Sequence, residues 1–189
     1  LRWLPHFLTL LRLIAAPVLV WLLVKSEFRT ALAVMILAGL TDWFDGFAAR
    51  KLDAGNKLGT ILDPLADKIL LVTLFVILGV LRLIPLWMLF LAIARDVVVT
   101  GGALLLRIYR NRRTFLPSTL GKVSTFFQLV LVLLTLLYAA FPLMFILWLK
   151  ITALVLCTIF TLLSWREYVV RGIAMKRAPA LPEAPSGTL

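Results

Sequence analysis

The sequence predicts an all-α integral membrane protein of six transmembrane helices, with its polar chemistry gathered at the cytoplasmic side. Three observations predict this. Apolar residues make up 62% of the chain, against roughly half in an ordinary soluble domain, and the mean hydropathy is +1.05. The apolar residues fall in runs long enough to cross a bilayer. Finally, the cations of a chain with net charge +11 alternate between rich and poor connecting segments.

The first span is expected at about residues 7–24, with no small-residue cleavage site after it, so it reads as a retained helix. The second, about 29–50, ends in Asp42 and Asp45, and the third, about 58–81, opens with Asp63 and Asp67. The fourth, about 84–108, carries Arg95 and Asp96 in its interior. The fifth, about 120–140, opens at Lys122, and the sixth, about 143–165, holds the lone Cys157, an inert buried thiol. Residues 1–177 form the transmembrane domain, and 178–189, rich in Pro, Ala, Ser and Gly, is expected to be a disordered tail. No internal repeat is visible.

The cations set the orientation. Arg2, then Arg50, Lys51 and Lys57, then Arg107 to Arg113, then Arg166 to Arg177 all fall on one side of a six-span bundle. The other side carries Lys25, Arg29 and Arg82. The positive-inside rule makes the rich side cytoplasmic, with both termini there, and the expected location is a bacterial inner membrane. The positive charge thus serves topology and anionic membrane lipid, and no nucleic acid partner is expected. Trp3, Trp21, Trp87, Trp148 and Trp165 lie near span ends, as an aromatic belt requires.

Charged residues cost about 2.5–3.5 kcal/mol each at a helix centre, so their clustering needs a reason. At ~100° per residue, Asp42, Asp45, Gly46, Ala49 and Arg50 share one helical face, and Gly59, Asp63 and Asp67 share another. A short loop joins the two spans, so the aspartate pairs are expected to face each other across a hairpin. Four carboxylates that close repel unless cations lie between them, and hard oxygen donors suit Mg²⁺ or Mn²⁺. Four are enough to bridge two such ions about 3.5–4 Å apart, the arrangement that clamps a displacement at phosphorus. Gly46, Ala49 and Gly59 clear space for a flat group such as a base, or let helices pack closely. Arg50 suits a phosphate by bidentate contact or anchors the cytoplasmic end.

The residues Asp42-x2-Asp45-Gly46-x2-Ala49-Arg50-x8-Gly59-x3-Asp63-x3-Asp67 match the signature of the CDP-alcohol phosphatidyltransferases at every fixed position, and the chain resembles that family over all but its tail. The resemblance implies a homodimeric membrane enzyme that takes the phosphatidyl group of CDP-diacylglycerol to an alcohol. It makes Asp42, Asp45, Asp63 and Asp67 the ligands of two divalent ions and Asp67 also the general base. It gives CDP binding to Asp42, Gly46, Ala49, Arg50 and Gly59, with Asn56 in the same loop. His6 stands where the family's entry segment commonly has Asn.

Ile93-Ala94-Arg95-Asp96-Val97, Leu116-Pro117-Ser118-Thr119 and Lys122-Val123-Ser124-Thr125 are similar to the cardiolipin synthase branch, whose acceptor is phosphatidylglycerol. In the rival branch the acceptor is glycerol 3-phosphate, and further cations commonly stand where this chain has Ala103 and Ser124. A phosphomonoester carries more charge than a diester and calls for more cations, so their loss favours the lipid. Arg95 and Lys122 are then candidates for the acceptor phosphate. Their alternatives are an Arg95–Asp96 ion pair and a helix-end anchor. A membrane transporter also buries aspartates, but it predicts midplane charges and repeated, broken helices, which this sequence lacks. Lys150 has no partner evident from sequence.

Overall fold

A computed structural model describes the backbone of residues 4–52, 59–110 and 119–177, and the side chains of 14–40, 68–99, 101 and 119–168. Among these residues the chain is all helix: α1 Leu4–Val24, α2 Phe28–Leu52, α3 Gly59–Val80, α4 Leu86–Arg110, α5 Thr119–Ala140 and α6 Met144–Arg177. All six expected helices are present. The largest departure is α6, which runs to Arg177 rather than ending near 165. Hydropathy marks where apolar side chains stop, whereas a helix continues through Trp165-Arg166-Glu167 because nothing there breaks it. The tail 178–189 lies outside the described residues.

Short turns join α1 to α2, α3 to α4 and α5 to α6. Two of the turns close in the same way. Ser26 N–H donates to Leu23 O at 3.0 Å and Glu27 N–H to Leu22 O at 2.9 Å, with Ser26 at φ 60°. Arg82 N–H donates to Gly79 O at 3.0 Å and Leu83 N–H to Leu78 O at 2.9 Å, with Arg82 at φ 57°. Both are Schellman caps, which satisfy the last carbonyls of α1 and α3. Neither has the glycine usual at the left-handed position, so sequence gave no sign of them.

The core is leucine-rich. Leu19 and Leu23 of α1, Leu74 and Leu78 of α3, Met88 of α4 and Leu131 and Leu136 of α5 are almost fully buried. The most extensive packing is α5 on α6, followed by α1 on α3, α1 on α2 and α2 on α5. Among the described residues α2 and α3 form no extensive pair with each other, and α1 lies against both. The facing of the two aspartate pairs expected from the short loop falls on side chains outside the described residues.

Large apolar side chains also point outward. Phe90, Phe126, Phe145 and Trp148 are all more than half exposed. Among the described residues, two stretches, Thr119–Ala140 and Met144–Tyr168, are long and apolar enough to cross a membrane. Only 22% of the apolar window in the second stretch is buried inside the protein, unlike the core helix of a soluble domain.

Candidate functional site

The signature residues sit on two described helices. Asp42, Asp45, Gly46, Ala49 and Arg50 lie in the last turns of α2, and Gly59, Asp63 and Asp67 in the first turns of α3. Both helices are continuous there, so the three- and four-residue spacings remain in helical register. The side chains of these residues lie outside the described set, as do Asn56 and the rest of the connecting loop, and the side chains of Ala103 and His6. Among the described residues no group of three or more His, Cys, Asp or Glu side chains assembles a metal site. The donor chemistry of the four aspartates, all hard oxygen on two joined helix ends, fits Mg²⁺ or Mn²⁺.

One residue after Asp67 the side chains come into view. Lys68 Nζ lies 3.7 Å from Asp96 Oδ1 and donates to the Asp96 carbonyl at 3.5 Å. Asp96 is also held by Arg95, whose Nη1 donates to the same Oδ1 at 2.7 Å. Arg95 Nη2 donates to Gly121 O at 2.7 Å, and Nη1 reaches Thr125 Oγ1 at 3.4 Å. The Thr125 hydroxyl itself donates to Gly121 O at 3.1 Å. Arg95 is 3% exposed and Asp96 7%. This buried network links α3, α4 and α5. It costs desolvation, and it holds only because both charges have partners.

Gly121 makes the crossing possible. A Cβ there would lie 3.1 Å from Tyr168 Oη of α6 and 3.3 Å from Arg95 Nη2. Three helices, α4, α5 and α6, thus meet where a side chain larger than hydrogen would crowd the guanidinium. Next to this point Ser124 and Thr161, both fully buried, share a hydrogen bond of 3.1 Å between their hydroxyls.

The ion pair of Arg95 with Asp96, one of the two readings open from sequence, is present. It engages Nη1, while Nη2 is taken by the Gly121 carbonyl and Nε is buried without a partner. Lys122 is exposed and joins none of these contacts. Lys68 was not singled out from sequence, although its place directly after Asp67 was a signal. Gly121 carried no signal, and Thr125, though within the Lys122–Thr125 segment read from sequence, was not tied to Arg95, because helix packing alone brings both to it.

Comparison with known proteins bears on the whole of this region. The model of the CDP-alcohol phosphatidyltransferase family matches residues 2–163. The human protein named cardiolipin synthase (CMP-forming) is 44% identical over 119 residues, which cover 62% of this chain and 38% of that protein. A fission yeast protein named as a cardiolipin synthase (CMP-forming) and mitochondrial hydrolase fusion is 37% identical over 144 residues, 68% of this chain and 24% of its own length. The chain thus spans well under half of these two relatives. The Aquifex aeolicus CDP-diacylglycerol–glycerol-3-phosphate 3-phosphatidyltransferase is 32% identical over 177 residues, covering 90% of this chain and 96% of that one. With the family model spanning both aspartate-bearing helices and the buried network behind them, the chain belongs to the CDP-alcohol phosphatidyltransferase family.

Proposed function

We propose that the protein is a phosphatidyltransferase of phospholipid biosynthesis that moves the phosphatidyl group of CDP-diacylglycerol onto phosphatidylglycerol, giving cardiolipin and CMP. The observation that carries the reaction class is the complete signature on the last turns of α2 and the first turns of α3, two helices consecutive in sequence. Asp42, Asp45, Asp63 and Asp67 would hold two divalent ions, Mg²⁺ or Mn²⁺. When bound, such ions neutralise the pyrophosphate and the charge that develops on phosphorus. Gly46, Ala49, Arg50, Gly59 and Asn56 receive the cytidine and its phosphates. Asp67 takes the proton of the acceptor hydroxyl. The acceptor oxygen bonds to the phosphorus that bears the diacylglycerol, the bond from that phosphorus to CMP breaks, and CMP leaves.

Two observations favour a lipid acceptor. Ser124 is buried and bonded to Thr161, so the position that would carry a second cation for a phosphomonoester is a neutral hydroxyl pair. The 44% identity is to a protein named for cardiolipin. Arg95 and Lys122 are the candidates for the acceptor phosphate. A second reading, with glycerol 3-phosphate as acceptor, is favoured by the near full-length match to the Aquifex aeolicus protein. A transporter reading draws no support from either relative.

In this reading all six helices cross the membrane, the aspartate end and both termini face the cytoplasm, and the enzyme is a homodimer of the bacterial inner membrane. The exposed Trp21, Trp87 and Trp148 at the opposite helix ends support an interface at that level. The test is an acceptor panel: purified protein, CDP-diacylglycerol, Mg²⁺ or Mn²⁺, and either phosphatidylglycerol or glycerol 3-phosphate. Cardiolipin from the first is the expected product. Phosphatidylglycerophosphate from the second alone overturns the acceptor and leaves the reaction class standing.

A further inference from the structure

A groove of about 580 Å³ opens at the end of the bundle away from the aspartates, where the α3–α4 turn meets α6. Helix rise places it roughly 20 Å along α3 from Asp67. Its walls are apolar, including Leu86, Trp87, Ile151 and Leu154, and its two charged residues are Arg82 and Lys150. No carboxylate lines it.

Lys150 is held there by a backbone carbonyl, and Arg82 is placed there by its own backbone in the α3 cap. Lys150 Nζ donates to Leu83 O at 2.7 Å, which ties α6 to the turn, and lies 5.3 Å from the centre of the Tyr138 ring. An ammonium has three donors, so two remain for a ligand. Arg82 occupies the left-handed position of the α3 cap, at φ 57°, where glycine costs least. An arginine tolerated at that backbone cost invites a functional reading. Trp87 and Trp148, 53% and 63% exposed, stand at the same level, where headgroups meet hydrocarbon.

We propose that this groove binds a phospholipid with an anionic headgroup, its phosphate between Arg82 and Lys150 and an acyl chain along the Leu86, Ile151 and Leu154 wall. The proposal rests on the reading that the bundle lies in a membrane, and not on the acceptor or the transfer reaction. Cations beside an apolar wall match a lipid better than a soluble phosphate, which has nothing to place against the wall. They match a second copy of this chain less well, because no carboxylate in the groove or its rim would answer them.

The experiment uses the full chain in neutral detergent micelles doped with phosphatidylserine, an anionic lipid without a free alcohol, or with phosphatidylcholine. Retained lipid is counted by native mass spectrometry. The variant is Arg82→Gly, which suits the backbone at that position, with Arg82→Lys as rescue. Wild-type protein is expected to retain phosphatidylserine over phosphatidylcholine. Arg82→Gly should weaken that retention roughly fivefold, the worth of one cation near a charged lipid surface, and Arg82→Lys should restore most of it. Equal retention by wild type and Arg82→Gly overturns the proposal. So does displacement of the lipid by millimolar inorganic phosphate, or loss of a dimer in Arg82→Gly with lipid retention unchanged. CMP release from CDP-diacylglycerol is read on the same samples and should be equal in wild type and Arg82→Gly. Its absence from both would sink the proposed reaction while leaving the lipid result to stand or fall alone.

Discussion

At one end of the bundle the buried Arg95 and the partly exposed Lys68 are both set against the buried Asp96. At the other, Arg29 donates to Ala140 O at 3.5 Å and lies over the Phe141 ring, while Lys150 does the same with Leu83 O and Tyr138. Among the described residues no salt bridge forms at that second end. The first end spends its cations on holding an acid and a helix carbonyl in place. The second leaves its cations partly free, supported by carbonyls and ring faces that cancel no charge. Charge is neutralised where helices cross in the interior and kept available where a surface meets its surroundings.

The largest expected effect that sharpens this contrast is at Asp67. Asp67→Asn should lower CMP release by roughly 10²–10⁴-fold, the usual worth of a general base, while gel filtration still shows folded protein. Substantial retained turnover would remove Asp67 from that role. Chelation with EDTA should likewise abolish CMP release, and Mg²⁺ or Mn²⁺ should restore it. Turnover that survives full chelation would separate the aspartates from metal binding.

Breaking the buried pair comes next. Asp96→Ala leaves the Arg95 guanidinium buried without its carboxylate and should destabilise the protein by about 3–5 kcal/mol, seen as a lowered thermal midpoint in detergent. An Arg95→Met/Asp96→Leu double variant should recover much of that loss, since apolar replacement of a whole buried pair is often neutral. If the single variant is as stable as wild type, the network is not a structural hub.

Gly121→Ala tests the same end more gently. Its methyl would press on two side-chain tips, Tyr168 Oη and Arg95 Nη2, for an expected cost of about 1 kcal/mol. Ser26→Gly tests the other end and should have the smallest effect, a gain of under about 1 kcal/mol from relief of a left-handed residue. A loss there would mean that the serine side chain does more for the α1–α2 turn than its backbone costs.

The sequence made some of this legible and some not, for identifiable reasons. Helix positions followed from hydropathy, and the starts of α2, α3, α5 and α6 lie within a residue of expectation. Neighbour relations did not all follow: a leucine face does not say which leucine face it will meet, so the packing of α1 against both α2 and α3 was unforeseen. The aspartates announced themselves because a charged residue in an apolar run is costly wherever it points. Arg95 and Asp96 are adjacent, so their pairing was open to view. Gly121 and Lys68 reach them only through folding. Lys150 had no visible partner because its partner is a backbone carbonyl, which every residue carries and no sequence distinguishes.

The bond from Arg95 to the Gly121 carbonyl has a mechanical side. That carbonyl is in the first turn of α5, and the guanidinium on it is clamped through Asp96 to Lys68 of α3. Sliding α5 along α4 by one helical turn would strip a buried cation of its acceptor, so the start of α5 and the middles of α3 and α4 are geared together. Any widening of the bundle at this level would have to carry the three helices as one block, with α6 held to it by Tyr168 against Gly121.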